Sequence, residues 1–326
     1  MPANAPRVIV EPDDGVDPVR EFIMSAQSSL LIKQFTFTEP SLMGAVIDRK
    51  KAGVDVRIML NPQRSGGDRA NDESYEVFKN AGIDVQWSSP KFYVTHEKSI
   101  VVDESAAMVA TYNLMIKYFT LTRDYGIITH DPLHVAQIVD VFNADWEHRD
   151  FTPPSYEGLL WSNSNSRYHM ARFIDTAQRK LYVQHPKYVD AVILDHIAAA
   201  VHRGVKVKVL CGGKHGISEW DILDTFASLR TLRRLGVKVR KQKNLRVHAK
   251  LLIVDDTSVL VGSMNIDRSA FDLRRELGIT TDDVGRLRAV FQSDWDLSHH
   301  YEPPDPLEQN RPVEDEFPHD SDLVHE

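Results

Sequence analysis

The chain has 326 residues, 42% hydrophobic and 26% charged, with one cysteine, Cys211, and a formal net charge of -8. That length supports one large or two medium domains with sizeable cores, and a lone cysteine excludes an internal disulfide and any multi-cysteine zinc site. No apolar run approaches the roughly 18 residues of a membrane span and MPANAPRVIV lacks the apolar centre of a secretory signal, so a soluble, cytoplasmic monomer is expected.

Taken in chain order, SLLIKQFTFTEPSLMGAVIDRKKAGVDVRIML (29–60) reads as an extended run, a helix, a glycine turn at Gly53 and a second strand. DESYEVFKNAG (72–82) has helical periodicity and IDVQWS after it is a strand. THEKSIVVDESAAMVATYN (95–113) follows, an apolar strand, a turn and a second strand, which hairpin logic makes antiparallel. Trp146 closes this stretch as core packing, and DWEHRDFTPPSYEGLLWSNSNSR (145–167), with its prolines and small polar residues, is the joint to what comes next.

The second half repeats the first. KLYVQHPKYVDAVILDHIAAAVHRGVKVKVL (180–210) aligns with 29–60, placing Gln184 on Gln34 and Gly204 on Gly53, past a helix end where a left-handed residue is favoured. ILDTFASLRTLRRLG (222–236) and VKVRKQ repeat the next helix and strand, VHAKLLIVDDTSVLVGSMN (247–265) repeats the hairpin, and Trp295 repeats Trp146. Every block is displaced by about 150 to 152 residues, so duplication is the simplest account. Strands alternating with helices predict an α/β fold with a mostly parallel or mixed sheet. The expected domains are 1–150, 151–300 and an acidic tail, 301–326. That tail holds nine acidic residues against Arg311, accounts for the whole net charge, and lacks the apolar content to fold alone.

The chemistry lies in the repeated hairpins. Residues two apart on a strand share a face, so His96 and Lys98 project together, as do His248 and Lys250. Asp103 and Asp255 end the apolar runs and are read as caps of the hairpin turn. The returning strands bring Asn113 back beside Lys98 and Asn265 beside Lys250. Eleven residues further, in both copies, stands a carboxylate, Asp124 or Glu276. Phosphodiester cleavage needs cations or donors on the non-bridging oxygens, a nucleophile, and an acid for the departing oxygen. Two lysines and two asparagines meet the first need without a metal or cofactor, two imidazoles divide the others, and each carboxylate can hold the far nitrogen of a histidine. Gly66, Gly67, Gly212 and Gly213 follow equivalent strands and could line a cleft mouth or form plain loops. His130 and His134, four apart, lack a third ligand and are read as solvated helix residues.

The second hairpin, H-A-K, four residues, D, six residues, G-S-M-N, matches the HKD signature of the phospholipase D superfamily, and the first resembles it with T-Y-N at its end. The resemblance covers about Val8 to His300. It implies two halves packed about a pseudo-twofold axis, mixed sheets flanked by helices, with both motifs in one cleft. It further implies metal-independent chemistry through a covalent phosphohistidine, with His96 as nucleophile, His248 as general acid and base, and Lys98, Lys250, Asn113 and Asn265 on phosphate. Ala110 and Thr111 replace the family's Gly-Ser, which Gly262 and Ser263 keep. If that glycine needs positive φ, alanine costs roughly 1 kcal/mol or more; if it permits close approach, alanine narrows the pocket.

For substrate, residues 230–250 hold nine basic residues and no acidic one, a polyanion attractor that fits lipid head groups or a nucleic-acid backbone. The leading expectation is a phospholipid phosphodiesterase or phosphatidyltransferase, similar to phospholipase D and cardiolipin synthase-like enzymes, in peripheral contact with a membrane. The alternatives are a metal-independent endonuclease of the same superfamily, with nucleic acid as substrate, and a degenerate binding protein.

Overall fold

The computed structural model describes residues 6–64, 66–152, 158–214 and 217–305. Chain order gives β1 (Arg7–Glu11), α1 (Asp17–Met24), β2 (Ser29–Gln34), α2 (Pro40–Lys51), β3 (Asp55–Leu60), α3 (Asp72–Asn80), β4 (Asp84–Trp87), β5 (Ser99–Val102), β6 (Ala106–Ala110), β7 (Thr122–Thr129) and α4 (Pro132–Trp146). The second half follows with β8 (Leu159–Trp161), α5 (Ser166–Asp175), β9 (Lys180–Gln184), α6 (Ala191–His202), β10 (Lys206–Cys211), α7 (Glu219–Arg234) and β11 (Lys238–Lys241). It ends with β12 (Arg246–Val247), β13 (Leu251–Val254), β14 (Ser258–Gly262), α8 (Arg268–Asp272), β15 (Leu277–Thr281), α9 (Gly285–Leu297) and β16 (His299–His300).

The sheet order β1-β7-β6-β5-β2-β3-β4 recurs as β8-β15-β14-β13-β9-β10-β11, with β16 added at the outer edge. Each sheet is mixed: the strands joined through helices are parallel (β2 with β3, β3 with β4), and the hairpin strands are antiparallel. Parallel neighbours need a crossover and antiparallel ones only a turn, which is why the strand–helix alternation gives way to β5–β6 and β13–β14 at the motifs. Leu30 and Ile32 pack outward with α1 and α2, whereas Leu31 between them packs inward. The inward faces of both sheets, with α4 and α9, make one shared core that includes Val101, Tyr125, Trp161, Leu251 and Trp295. Strands buried on both faces read as continuous apolar runs rather than alternation.

Three sequence expectations change. The outermost strands β1 and β8, and helices α1, α4, α5 and α9, lie outside the predicted elements. The expected joint, 145–167, includes the ordered strand β8 and the start of α5; residues 153–157 lie outside the described set. Of the tail, Tyr301–Asp305 pack on the body, where Glu302 pairs with Arg233 at 3.1 Å and Asp305 with Arg230 at 3.6 Å, so part of the basic stretch is already covered. Residues 306–326 are outside the described set.

The register also revises the alignment of the halves. Asp103 accepts from the amides of Gln27, Ser28 and Ser29, while Asp255 accepts from those of Gln178, Arg179 and Lys180. The bridges Phe37 to Leu114 and Tyr188 to Ile266 repeat the same shift. The offset of β9 on β2 is therefore 151, and the counterpart of Gln34 is His185, not Gln184. Gln184 instead matches Lys33: Gln184 donates to Asp294 at 3.0 Å as Lys33 does to Asp145 at 2.8 Å.

Candidate active site

Each motif enters the core by pairing with the other half. The amides of His96 and Glu97 donate to the Arg275 carbonyl at 2.9 Å, and those of His248 and Ala249 donate to the Arg123 carbonyl at 3.3 and 2.9 Å. Arg123 and Arg275 immediately precede the two conserved-spacing carboxylates, so the exchange of backbone bonds carries each carboxylate to the opposite histidine. Glu276 Oε2 lies 2.8 Å from His96 Nδ1, and Asp124 Oδ1 lies 2.7 Å from His248 Nδ1. The sequence predicted carboxylate–histidine pairs; it did not reveal that the halves trade partners.

The two carboxylates sit in unlike surroundings. Asp124 accepts from Thr111 Oγ1 at 2.5 Å and Thr122 Oγ1 at 2.6 Å as well as facing His248. Glu276 is fully buried, and burial pushes its pKa up to about 7 against the pull of Lys98 and Arg274. Lys250 Nζ is 2.8 Å from His248 Nε2, and Lys98 Nζ donates to the His96 carbonyl at 2.7 Å. An ammonium can only donate, so in this arrangement His248 carries its proton on Nδ1, toward Asp124, and presents a lone pair at Nε2. The Phe35 ring meets His96 edge-on at 4.7 Å, and the Tyr118 ring lies 4.7 Å from His248. Asn113 and Asn265 are buried, and the Oδ1 of each has no hydrogen-bond partner among the described residues.

Asp103 and Asp255 stand apart from this cluster. Both have positive φ, 53° and 52°, at the hairpin turns. Burial alone would raise their pKa values, but the backbone amides they accept from hold them below the usual carboxylate range. They fasten the hairpins to the preceding strands. Ala110 and Gly262 are strand residues, opposite Gly126 and Gly278, so positive φ is not the requirement. A Cβ on Gly262 would lie 2.6 Å from Gly278 Cα; close approach explains that glycine, and the first half accommodates Ala110. Thr111 keeps a working hydroxyl, since it also accepts from the Tyr125 amide at 2.9 Å. Ser263 plays the corresponding part through its contact with the Leu277 amide at 3.1 Å.

Trp146 and Trp295 stack on Phe142 and Phe291 around the shared core. His134 is on α4, with Nδ1 3.4 Å from Thr129 Oγ1, and no group of three or more His, Cys, Asp or Glu among the described residues is arranged to hold a metal. Gly67 and Gly213, with φ 89° and 71°, turn the chain after β3 and β10.

Sequence reasoning missed several residues. Arg123 pairs with Asp294, and Arg275 with Asp145, each at 2.8 Å across the two halves. An arginine one residue before each carboxylate was the available signal. Leu121 and Leu273, three residues before Asp124 and Glu276, are exposed, and Tyr93 is also exposed, its amide donating to the Leu273 carbonyl at 2.9 Å. Arg246 donates from its amide to the Leu121 carbonyl at 3.1 Å. Apolar and basic side chains thus flank the lead-in to both motifs.

The chain matches the family described as cardiolipin synthase, PLD-like domain, over residues 19–146 and 170–295. It is 24% identical over 332 residues to cardiolipin synthase 1 of Staphylococcus aureus (strain COL), covering 87% of this chain and 66% of that one. It is 25% identical over 301 residues to the major cardiolipin synthase of Bacillus subtilis (strain 168), covering 80% and 61%. The chain therefore spans a little under two thirds of the length of these relatives. In fold it resembles phosphatidylserine synthase of Haemophilus influenzae Rd KW20, with TM-score 0.71, 13% identity, and coverage of 91% of this chain and 88% of that one. Polyphosphate kinase from Porphyromonas gingivalis also has TM-score 0.71, at 15% identity, covering 94% and 51%. With two matched segments that take in one hairpin motif each and most of the chain between them, the chain belongs to the phospholipase D superfamily, in its cardiolipin synthase PLD-like family.

Proposed function

We propose that the protein is a phospholipid phosphatidyltransferase that also hydrolyses its substrate, working through a covalent phosphohistidine. The observation that carries this reading is the exchanged pair of carboxylate-backed imidazoles, each with a lysine at hand. In the proposed first step His96 Nε2 attacks phosphorus. The bond to the head-group oxygen breaks, and His248, which takes up a proton from solvent at Nε2 once Lys250 has moved to the phosphate, gives that proton to the departing oxygen. In the second, His248 takes the proton of an incoming alcohol or water, whose oxygen attacks phosphorus while the P–N bond breaks. Lys98, Lys250, Asn113 and Asn265 hold the non-bridging oxygens. When phosphate draws Lys250 to itself, His248 Nε2 is released for proton transfer. Glu276 and Asp124 orient the rings and stabilise the imidazolium of each step.

Lipid is favoured as substrate by the cardiolipin synthase relatives and by the exposed Leu121, Leu273 and Tyr93 beside the motifs. The test is phosphatidylglycerol in vesicles, with single-stranded DNA alongside and EDTA throughout. Phosphatidate, and a new phosphatidyl ester when an alcohol is added, are expected, with loss of both in His96→Ala and in His248→Ala. Clean DNA cleavage without either lipid product would overturn the substrate; activity only on added metal would overturn the mechanism.

A further inference from the structure

Two polar side chains of this site enter none of the contacts above. Carrying the β2–β5 register one step past Lys33 and Ser99 sets Gln34 opposite Lys98; one step past Gln184 and Leu251 sets His185 opposite Lys250. Directly opposed residues of an antiparallel pair point to the same face. Gln34 and His185 are both wholly buried, and neither the amide atoms of Gln34 nor the two ring nitrogens of His185 have a hydrogen-bond partner among the described residues. Leaving such a group unpaired in the interior is destabilising, and here it happens at equivalent positions in both halves. Buried polar groups that a fold leaves unpaired at a reaction centre are those a ligand can satisfy.

The two positions differ in chemistry. Burial, with the nearby Lys250 and His248, holds the His185 pKa well below the ordinary histidine value. The ring is neutral, offering one N–H and one lone pair, which suits a hydroxyl group that both donates and accepts. Gln34, on the His96 side, offers an amide.

We infer that His185 binds the alcohol on the His248 side, the hydroxyl-bearing head group that leaves and the alcohol that enters, and so favours transfer to an alcohol over hydrolysis. This rests on the proposed function: with His96 attacking, the departing and arriving oxygens lie on the face of phosphorus served by His248, the half in which His185 stands. Gln34 on the attacking side meets the phosphatidyl portion that is retained.

The test is the partition of phosphatidylglycerol between phosphatidate and labelled phosphatidylglycerol as deuterated glycerol, which keeps the transfer product distinct from its donor, is varied, for the intact chain and for His185→Leu, His185→Gln and Gln34→Leu. His185→Leu should lower the ratio of transfer to hydrolysis and raise the glycerol KM, each by tenfold or more. His185→Gln, which keeps a donor and an acceptor, should recover most of both. Gln34→Leu should slow turnover without moving the ratio. Because the ratio is internal to each turnover, partial unfolding of a variant lowers total product but leaves it unmoved. An unchanged ratio in His185→Leu, or a shift in Gln34→Leu instead, overturns the inference while the parent reading stands. Absence of lipid turnover in the intact chain overturns the parent reading, and the inference with it.

Discussion

At the scale of single residues, the two halves are copies in geometry but not in electrostatics. Asp124 is held by two hydroxyls, whereas Glu276 has its carboxyl raised to about 7 by burial. The negative charge that orients His96 therefore develops only as pH rises through about 7. A rise in kcat/KM across that range is expected, and Glu276→Gln should abolish it and lower the rate by about 10⁴-fold, the loss when a triad carboxylate becomes an amide; pH–rate profiles of both proteins check this. Glu11, opposite Asp124 on β1, is a second case. Its pKa is raised to about 8, by burial first and then by Asp124 and Asp14, with the Gly15 backbone amide pulling the other way. A carboxyl raised in the folded state leaves stability intact below its ordinary value near 4.5 and erodes it as pH climbs through about 8. Glu11→Gln should remove that loss: denaturant midpoints for the two proteins should separate in the variant's favour by pH 9 and converge at pH 5. The spacing of His96, Lys98, Asp124 and their counterparts was legible from sequence because each repeats at one interval. Glu11 was not, since its significance comes from a cross-strand neighbour more than a hundred residues away.

Among the elements, the hairpins and the helices α3 and α7 announce themselves through periodicity, but β1, β8, α4 and α9 do not. β8 is three residues long and sits in a stretch rich in polar and proline residues, so local composition reads as a joint; pairing with β15 decides its state. Identical glutamines draw Gln184 onto Gln34, one residue out, while strand register follows the Asp103 and Asp255 clamps. The lead-in segments suggest a test of the membrane reading. Leu121 and Leu273 are exposed at equivalent places beside the two motifs, and exposed apolar groups with basic neighbours suit an anionic bilayer. Changing both to glutamate should weaken sedimentation with phosphatidylglycerol vesicles at least tenfold, while hydrolysis of bis(p-nitrophenyl) phosphate, which needs no surface, stays within about threefold. Equal losses in both assays, or none, would remove these leucines from the interface.

For the whole molecule, the shared core and the reciprocal Arg123–Asp294 and Arg275–Asp145 pairs bind the halves into one unit. These ions are buried, and whereas Asp145 also has Lys33 at 2.8 Å, removing Arg123 leaves the Asp294 charge facing the neutral amide of Gln184, at a cost of about 3–5 kcal/mol. Arg123→Met is expected to lower the urea midpoint, with fluorescence and activity lost in a single transition. A variant that keeps its fluorescence transition but loses activity well before it would mean that the halves separate without unfolding. The duplicated α/β plan was legible in the sequence, because each half carries the full pattern; the interlock was not, because it consists of contacts that no single copy contains.

The traded carboxylates make the duplication hard to undo. An ancestor with one copy could assemble the same centre only by meeting a second molecule of itself, and once fused, neither copy could decay without disarming its sister. A genetic lesion at Glu276 would thus mimic damage to His96, a residue in the opposite repeat, and a map of inactivating changes drawn along the chain would assign the defect to the wrong half.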